Sequence, residues 1–487
     1  VNRTLLQGFE WYLLSDGKHW QRLSQEAEQF AKLGITDIWL PPAYKGTSAT
    51  DVGYGVYDLF DLGEFQQKGT VRTKYGTKSE YLSLIQRLKA LGIRPIADVV
   101  LNHKAAADEV ETFQVVEVHP ENRNQVISQP FDIDGWTGFT FPGRRDRYND
   151  FHWHWYHFTG TDYDVRRKKT GIYQIQGENK GWALDDLVNQ EFGNYDYLMF
   201  ADIDFKHPEV RQNIYDWAKW YIETTGIMGF RLDAIKHIDS LFMGNFIRDM
   251  KLQYGEQFYV FGEYWSPNLE DNQKYLEAIN HGFDLIDTRL HYNFFEAGQM
   301  GENFDLRLIF EESLVQEYPS EAVTFVENHD TQEGQALESK VEDWFKPLAY
   351  ALILLRDSGL PCVFYGDYEG VSGRYAQASF KIVLDKLLKL RRSYAYGEQV
   401  DYFNAENCIG WTREGQTGKS PIAVVMSNAG SQWIKMFIGK EMANSVYRDA
   451  LRNCNEAVLI DSEGYGSFPV ESRSVSVWCI ESELDNF

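Results

Sequence analysis

Asp233, Glu263 and Asp330 each follow a short apolar run, at the point where the run gives way to polar residues. Such positions suit a reactive carboxylate, because a buried strand fixes the backbone while its end opens to solvent. A pair of carboxylates in unlike surroundings supports acid-assisted bond cleavage, glycosidic hydrolysis included: one stays protonated to assist departure, the other ionised to attack. Arg231 lies two residues before Asp233, so on a strand both side chains share a face and the guanidinium can hold the carboxylate ionised. Glu263, within Phe261-Gly262-Glu263-Tyr264-Trp265, has apolar and aromatic neighbours that would desolvate it and favour the acid. Asn102, His103, His329 and Asp330 occupy equivalent run ends. Taken singly, each carboxylate could be a structural ion pair or a solvated strand end; their recurrence at equivalent ends points to one site.

The elements that must carry these residues repeat. A helical stretch, a Gly, then Ile or Leu and a short apolar strand recur at Gly34-Ile35, Gly92-Ile93, Gly226-Ile227 and Gly359-Leu360, each Gly read as closing a helix. Strands are expected at Leu5 to Phe9, Asp37 to Pro42, Pro95 to Val100, Gly229 to Asp233, Phe258 to Glu263, Phe283 to Leu290, Ala322 to Val326 and Cys362 to Asp367. Eight helix-to-strand units predict an α/β fold, a (β/α)8 barrel; a doubly wound sheet is the rival, but no GxGxxG follows the first strand. The stretch 104–206 breaks the rhythm and reads as an insertion after the third strand. Short alternating runs from 396 onward, among them Ile422 to Met426 and Ser474 to Ile480, read as a C-terminal antiparallel β-sandwich. The expected domains are thus 1–103 and 207–395 for the barrel, 104–206 for the insertion and 396–487 for the β domain.

Composition narrows the partners. The chain carries a net charge of −24, which repels nucleic acid and anionic membrane surfaces, and its longest apolar stretch, Leu348 to Leu355, is too short to span a bilayer. An aromatic content of 15% offers flat apolar faces of the kind sugar rings need, although large cores also consume aromatics. Cys362, Cys408, Cys454 and Cys479 are scattered without a framework, and the sequence enters its first strand almost at once; both features predict a cytoplasmic protein, with secretion after removal of a signal as the alternative. A monomer is expected.

Four stretches, Asp98-Val99-Val100-Leu101-Asn102-His103, Gly229-Phe230-Arg231-Leu232-Asp233-Ala234-Ile235-Lys236-His237, Gly262-Glu263-Tyr264-Trp265 and Val326-Glu327-Asn328-His329-Asp330, resemble, in order, the signature regions of the α-amylase family of glycoside hydrolases. The likeness to the bacterial liquefying members runs from Gln7-Gly8-Phe9-Glu10-Trp11-Tyr12 through Asp51-Val52-Gly53-Tyr54-Gly55 to Gly410-Trp411-Thr412-Arg413. It implies endo-acting, retaining hydrolysis of α-1,4-glucosidic bonds in starch, glycogen or maltooligosaccharides, with Asp233 as nucleophile, Glu263 as acid/base and Asp330 as the stabilising third carboxylate. It places sugar contacts on Tyr54, His103, Arg231 and His329, with Lys236 and His237 on the leaving-group side. A glucanotransferase or an α-1,6-acting sibling is the runner-up, and a non-catalytic sugar-binding homologue the more distant rival.

The same resemblance implies one structural calcium ion on Asn102, Asp196, Asp202 and the backbone carbonyl of His237; by composition alone these read as turn formers. Where the liquefying enzymes use further aspartates for extra cations, this sequence has Thr159 and Lys206, although Asp185 and Asp204 remain, and a lysine opposes a cation. The segment Asn404-Ala405-Glu406-Asn407 likewise departs from the family's interdomain calcium ligands. His152, His154 and His157 invite a zinc reading, but their aromatic setting and the strand alternation expected to separate His157 favour packing or substrate contact.

Overall fold

The computed structural model describes residues 2–484; Val1 and residues 485–487, the outermost ends of the expected first and last domains, lie outside the described residues. Eight parallel strands close into a barrel: Leu5–Gln7, Asp37–Leu40, Arg94–Val99, Gly229–Leu232, Tyr259–Gly262, Asp284–Ile286, Ala322–Phe325 and Leu360–Phe364, the last pairing back onto the first. Their alternation explains the closure. Leu6, Ile38, Ala97, Phe230, Val260 and Leu285 pack outward in the shell shared with the helices, while Leu5, Trp39, Ile96, Phe261, Ile286 and Val323 fill the interior.

Local differences from the sequence expectation have identifiable causes. The sixth strand stops at Ile286 instead of reaching Leu290, because the Asp287 carboxylate accepts the backbone N–H of Leu290 and starts the helix Thr288–Met300. The eighth stops at Phe364, where the short helix Tyr365–Glu369 begins. Gly34 and Gly226 close their helices in the left-handed region, at φ 90° and 70°. Gly92 lies one residue beyond the cap Leu91, and Gly359 lies well past the end of Lys346–Leu354, so its positive φ serves a turn into the eighth strand.

Between the third strand and the helix Pro208–Thr225, the chain forms an antiparallel sheet. It leaves the barrel as His103–Lys104 and returns as Ala201–Ile203, and these two segments pair with each other. Lys104 is buried there, its Nζ donating to the Tyr57 carbonyl and lying 5.0 to 5.4 Å from the rings of Phe139, Trp153 and Phe141. The C-terminal region is a six-stranded antiparallel sheet with a two-stranded ribbon, Gln432–Phe437 and Tyr465–Val470, over one face. Within Ile422–Ser427, Ala423 and Val425 face the ribbon, while Ile422, Val424 and Met426 face the barrel's core. No helix among the described residues is long and apolar enough to cross a membrane.

Candidate functional site

Arg231 is the centre of the barrel mouth. Its inward position on the fourth strand puts it in register with Asp98 on the third and Phe261 on the fifth. One guanidinium nitrogen meets Asp98 at 3.1 Å and Asp233 at 2.7 Å; the other donates to Glu263. Strand spacing paired Arg231 with Asp233 and the resemblance added a sugar contact; the structure shares its guanidinium among three carboxylates. Asp98 also accepts from Trp39 Nε1 at 2.9 Å and from the Tyr54 hydroxyl at 2.7 Å.

Burial pushes Glu263 well above the usual carboxylate range; Arg231 opposes the shift, while Asp233, within hydrogen-bonding reach, and Asp330 add to it. Burial, with the nearby Asp233, raises Asp330 to about 7, and burial raises Asp98 to about 6. Burial thus favours the protonated form of Glu263 next to a carboxylate clamped by the same guanidinium, the two unlike settings that acid-assisted displacement needs. Beyond Asp233 the chain turns at once: Ala234 takes a left-handed conformation, φ 51°, and leads into the single turn Ile235–His237. The Ile235 N–H reaches the Glu263 carbonyl at 3.2 Å, and a Cβ on Gly262 would lie 2.4 Å from Ile235 Cδ1, so glycine is what lets this turn close over the fifth strand.

The predicted sugar-contact residues divide. Tyr54 and His329 stack at 4.9 Å with planes 4° apart, and the half-buried Trp11 lies parallel to both. His329 Nδ1 accepts from Gln7, and burial holds the ring neutral, so Nε2 carries the proton, 3.3 Å from Asp330. His103, by contrast, uses Nε2 on the Tyr54 carbonyl at 2.7 Å and sets Nδ1 near the Asn102 amide; it orients Tyr54. Lys236 reaches Glu191 at 2.9 Å and the Trp265 carbonyl at 3.1 Å. The His237 ring faces the insertion, Nδ1 on the Tyr195 carbonyl at 2.7 Å. Asp98, Trp39, Gln7 and Trp11 were not singled out by the sequence.

Where the insertion meets the barrel, Asp196 and Asp202 lie against each other and the Asn102 carbonyl accepts the N–H of Ile203, the residue after Asp202, at 3.0 Å; all three predicted ligands are buried. Burial raises Asp196 to about 7; burial and the adjacent Asp196 push Asp202 well above its usual range. Asp202 Oδ2 accepts from the Thr159 hydroxyl, but Oδ1 is buried without a hydrogen-bond partner. An orphaned carboxylate oxygen beside a second carboxylate, in an all-oxygen donor set, fits a hard cation such as calcium. Beside this cluster the protein supplies its own cations. Lys180 Nζ donates to Asp204 at 2.9 Å and to the carbonyls of Phe158 and Tyr156, while Lys206 Nζ donates to the carbonyls of Gly181 and Trp182. Lys180 was not anticipated. Asp185 accepts from the Asn194 amide at 2.8 Å.

The three histidines for which packing was favoured over zinc each take a separate carboxylate: His152 pairs with Asp146, His154 with Glu111 and His157 with Glu209. Trp155–His157 is a single helical turn, so it is this turn rather than strand alternation that separates them. His157, His207 and Glu209 do cluster, but the Nδ1 atoms of both histidines accept backbone N–H groups, leaving the proton on Nε2 where a metal would need a lone pair.

A barrel mouth with one guanidinium among three carboxylates, one of them desolvated, defines a glycoside-hydrolase type of site on a (β/α)8 frame. The chain belongs to the α-amylase family: residues 18–447 match the α-amylase catalytic domain and residues 422–479 the α-amylase C-terminal domain. It is 50% identical to an α-amylase of Geobacillus stearothermophilus over 98% of this chain and 87% of that protein. It is 48% identical to a glucan 1,4-α-maltohexaosidase of Bacillus sp. (strain 707), over 98% and 92%. It is 42% identical to a cytoplasmic α-amylase of Escherichia coli (strain K12), over 99% and 100%. The crystal structure of an Anoxybacillus α-amylase shares the fold with a TM-score of 0.64 at 18% identity, over 98% of this chain and 97% of that one.

Proposed function

We propose that the chain is an endo-acting, retaining hydrolase of α-1,4-glucosidic bonds in starch, glycogen or maltooligosaccharides. The observation that carries this reading is Arg231 bridging Asp233 and Glu263 in the barrel mouth, with burial favouring the protonated form of Glu263. Asp233 attacks the anomeric carbon as Glu263 gives its proton to the departing glycosidic oxygen, leaving a covalent glycosyl ester; Glu263, now ionised, takes a proton from water, which displaces Asp233. Asp330 and the His329 Nε2–H face the ring hydroxyls, and Tyr54 with Trp11 gives the sugar a flat apolar face. Lys236 and Glu191 border the leaving-group side.

Asn102, Asp196, Asp202 and the carbonyl of His237 would hold one calcium ion, which supplies the positive charge that Asp196 and Asp202 lack and ties insertion to barrel. The 42% identity to a cytoplasmic α-amylase and four buried, unpaired cysteines support action inside a cell, and we assign it to a monomer. The test is hydrolysis of amylose, maltoheptaose and pullulan: the reading requires α-anomeric first products by NMR and internal cleavage of amylose. β-anomeric first products would overturn the double displacement. Dominant transfer to added acceptor sugars would favour the glucanotransferase, and preferential pullulan cleavage the α-1,6-acting sibling.

A further inference from the structure

Behind the seventh and eighth strands lies an ionic cluster outside the reaction derived above. Lys346, fully buried at the start of its helix, contacts Glu327 at 3.4 Å and Asp367 at 2.5 Å, and both carboxylates are as deeply buried as the lysine. Asp367 also accepts from the Tyr350 hydroxyl at 2.6 Å and from the Gln377 amide at 2.8 Å. Apolar residues of similar volume would serve stability as well as such a buried group, so its retention asks for another reason.

The contacts of Glu327 supply one. Its Oε1 accepts the Thr331 hydroxyl proton, and its Oε2 accepts the Val341 N–H at 3.1 Å. The Thr331 oxygen in turn accepts the Asn328 N–H at 3.0 Å, and Asn328 Oδ1 accepts the N–H groups of Asp330 and Thr331 at 2.9 and 3.0 Å. The Thr331 hydroxyl also lies 3.2 Å from the Asn328 carbonyl, and the relay ends on the backbone of the third carboxylate.

We propose that Glu327, Lys346 and Asp367 form a positioning unit that sets Asp330 in the barrel mouth through Thr331 and Asn328. This inference rests on the role given to Asp330 above. None of the three touches substrate; they fix the turn from behind, and small displacements of a reacting group are costly in rate.

The experiment is a double-mutant cycle with maltoheptaose and an activated aryl maltotrioside. Lys346→Met should lower kcat by about 30- to 100-fold while KM stays within about threefold. Thr331→Val, which removes only the hydroxyl, should lower kcat by about tenfold, and Thr331→Ser should recover most of it. In an Asp330→Asn background, Lys346→Met and Thr331→Val should each cost less than about twofold further, because the group they position is gone. Equal losses in both backgrounds, or a raised KM with unchanged kcat, would overturn the proposal. If Lys346→Met does not fold, as judged by circular dichroism, the Thr331 pair decides the matter. If Asp330→Asn itself keeps full kcat, it is the assignment of Asp330 that falls, a result separable from absent coupling.

Discussion

At the barrel mouth Asp98, Asp233 and Glu263 surround one guanidinium, whereas at the insertion junction Asp196 and Asp202 face each other with no lysine or arginine in hydrogen-bonding contact among the described residues. Both places bury neighbouring carboxylates, whose ionised forms are unfavourable there without compensation. The mouth has a cation built into a strand, fixed in register and present as soon as the barrel closes. The junction leaves a carboxylate oxygen unmatched, the place given above to the proposed calcium ion. Between them, Lys180 and Lys206 occupy an intermediate solution, tethered ammonium groups ringed by carbonyls. The reactive carboxylates are thus matched by a rigid group, while the joint between barrel and insertion keeps an acceptor open.

The comparison can be broken at either end. The largest effect is expected from Glu263→Gln, which should lower kcat on maltoheptaose by about 10⁴-fold with the fold intact by circular dichroism. Arg231→Met should remove activity and also cost about 3–5 kcal/mol in denaturant unfolding, because three carboxylates lose their common partner. If its stability matches the parent, the mouth does not depend on its built-in cation.

Chelation should lower Tm and leave the barrel's far-UV signal nearly unchanged below that temperature; an ion held at a thousandfold excess over its Kd contributes about 4 kcal/mol. An unaltered Tm with and without chelator would mean that the junction carboxylates are not matched by a cation. Lys180→Met should cost about 1–3 kcal/mol and make the protein more sensitive to chelator, since Asp204 then joins the uncompensated charges.

A pH dependence sharpens the comparison at the mouth. Folding raises Asp330 from an ordinary value of 3.8 to about 7, so between those values the folded state binds the extra proton and stability falls as pH rises. Asp330→Asn should therefore be more stable than the parent at pH 8, with the gain vanishing at the lowest pH; an equal difference at every pH would contradict it.

Much of this was legible in the residues. The barrel strands followed from apolar runs and their recurrence, and the run ends brought Asp233, Glu263 and Asp330 to one mouth. Asp98 was missed because its role depends on register: only the pairing of Arg231 with Asp98 across strands shows that the guanidinium has three partners, and strand spacing carries no such information. Trp11 and Gln7 act through rings and amides from the first strand and the loop after it, far in sequence from His329, which they contact. The overlong sixth strand failed for a local reason, since Asp287 caps a helix inside an apolar run. Lys206 was read from its charge, but Lys180 gives no sign of burial until the loop folds back on Asp204.

The paired segments His103–Lys104 and Ala201–Ile203 give the insertion a single doorway, exit and entry side by side. Away from this doorway the insertion is also fastened to the barrel domain, by the buried Arg144–Asp58 pair, by Tyr148 on Glu64 and by Asn189 on the Tyr264 hydroxyl. A segment exchanged at the doorway would therefore have to supply partners for Asp58, Glu64 and Tyr264 as well as close the two paired ends, so the cleft wall is joined to the barrel by a seam and not by a hinge.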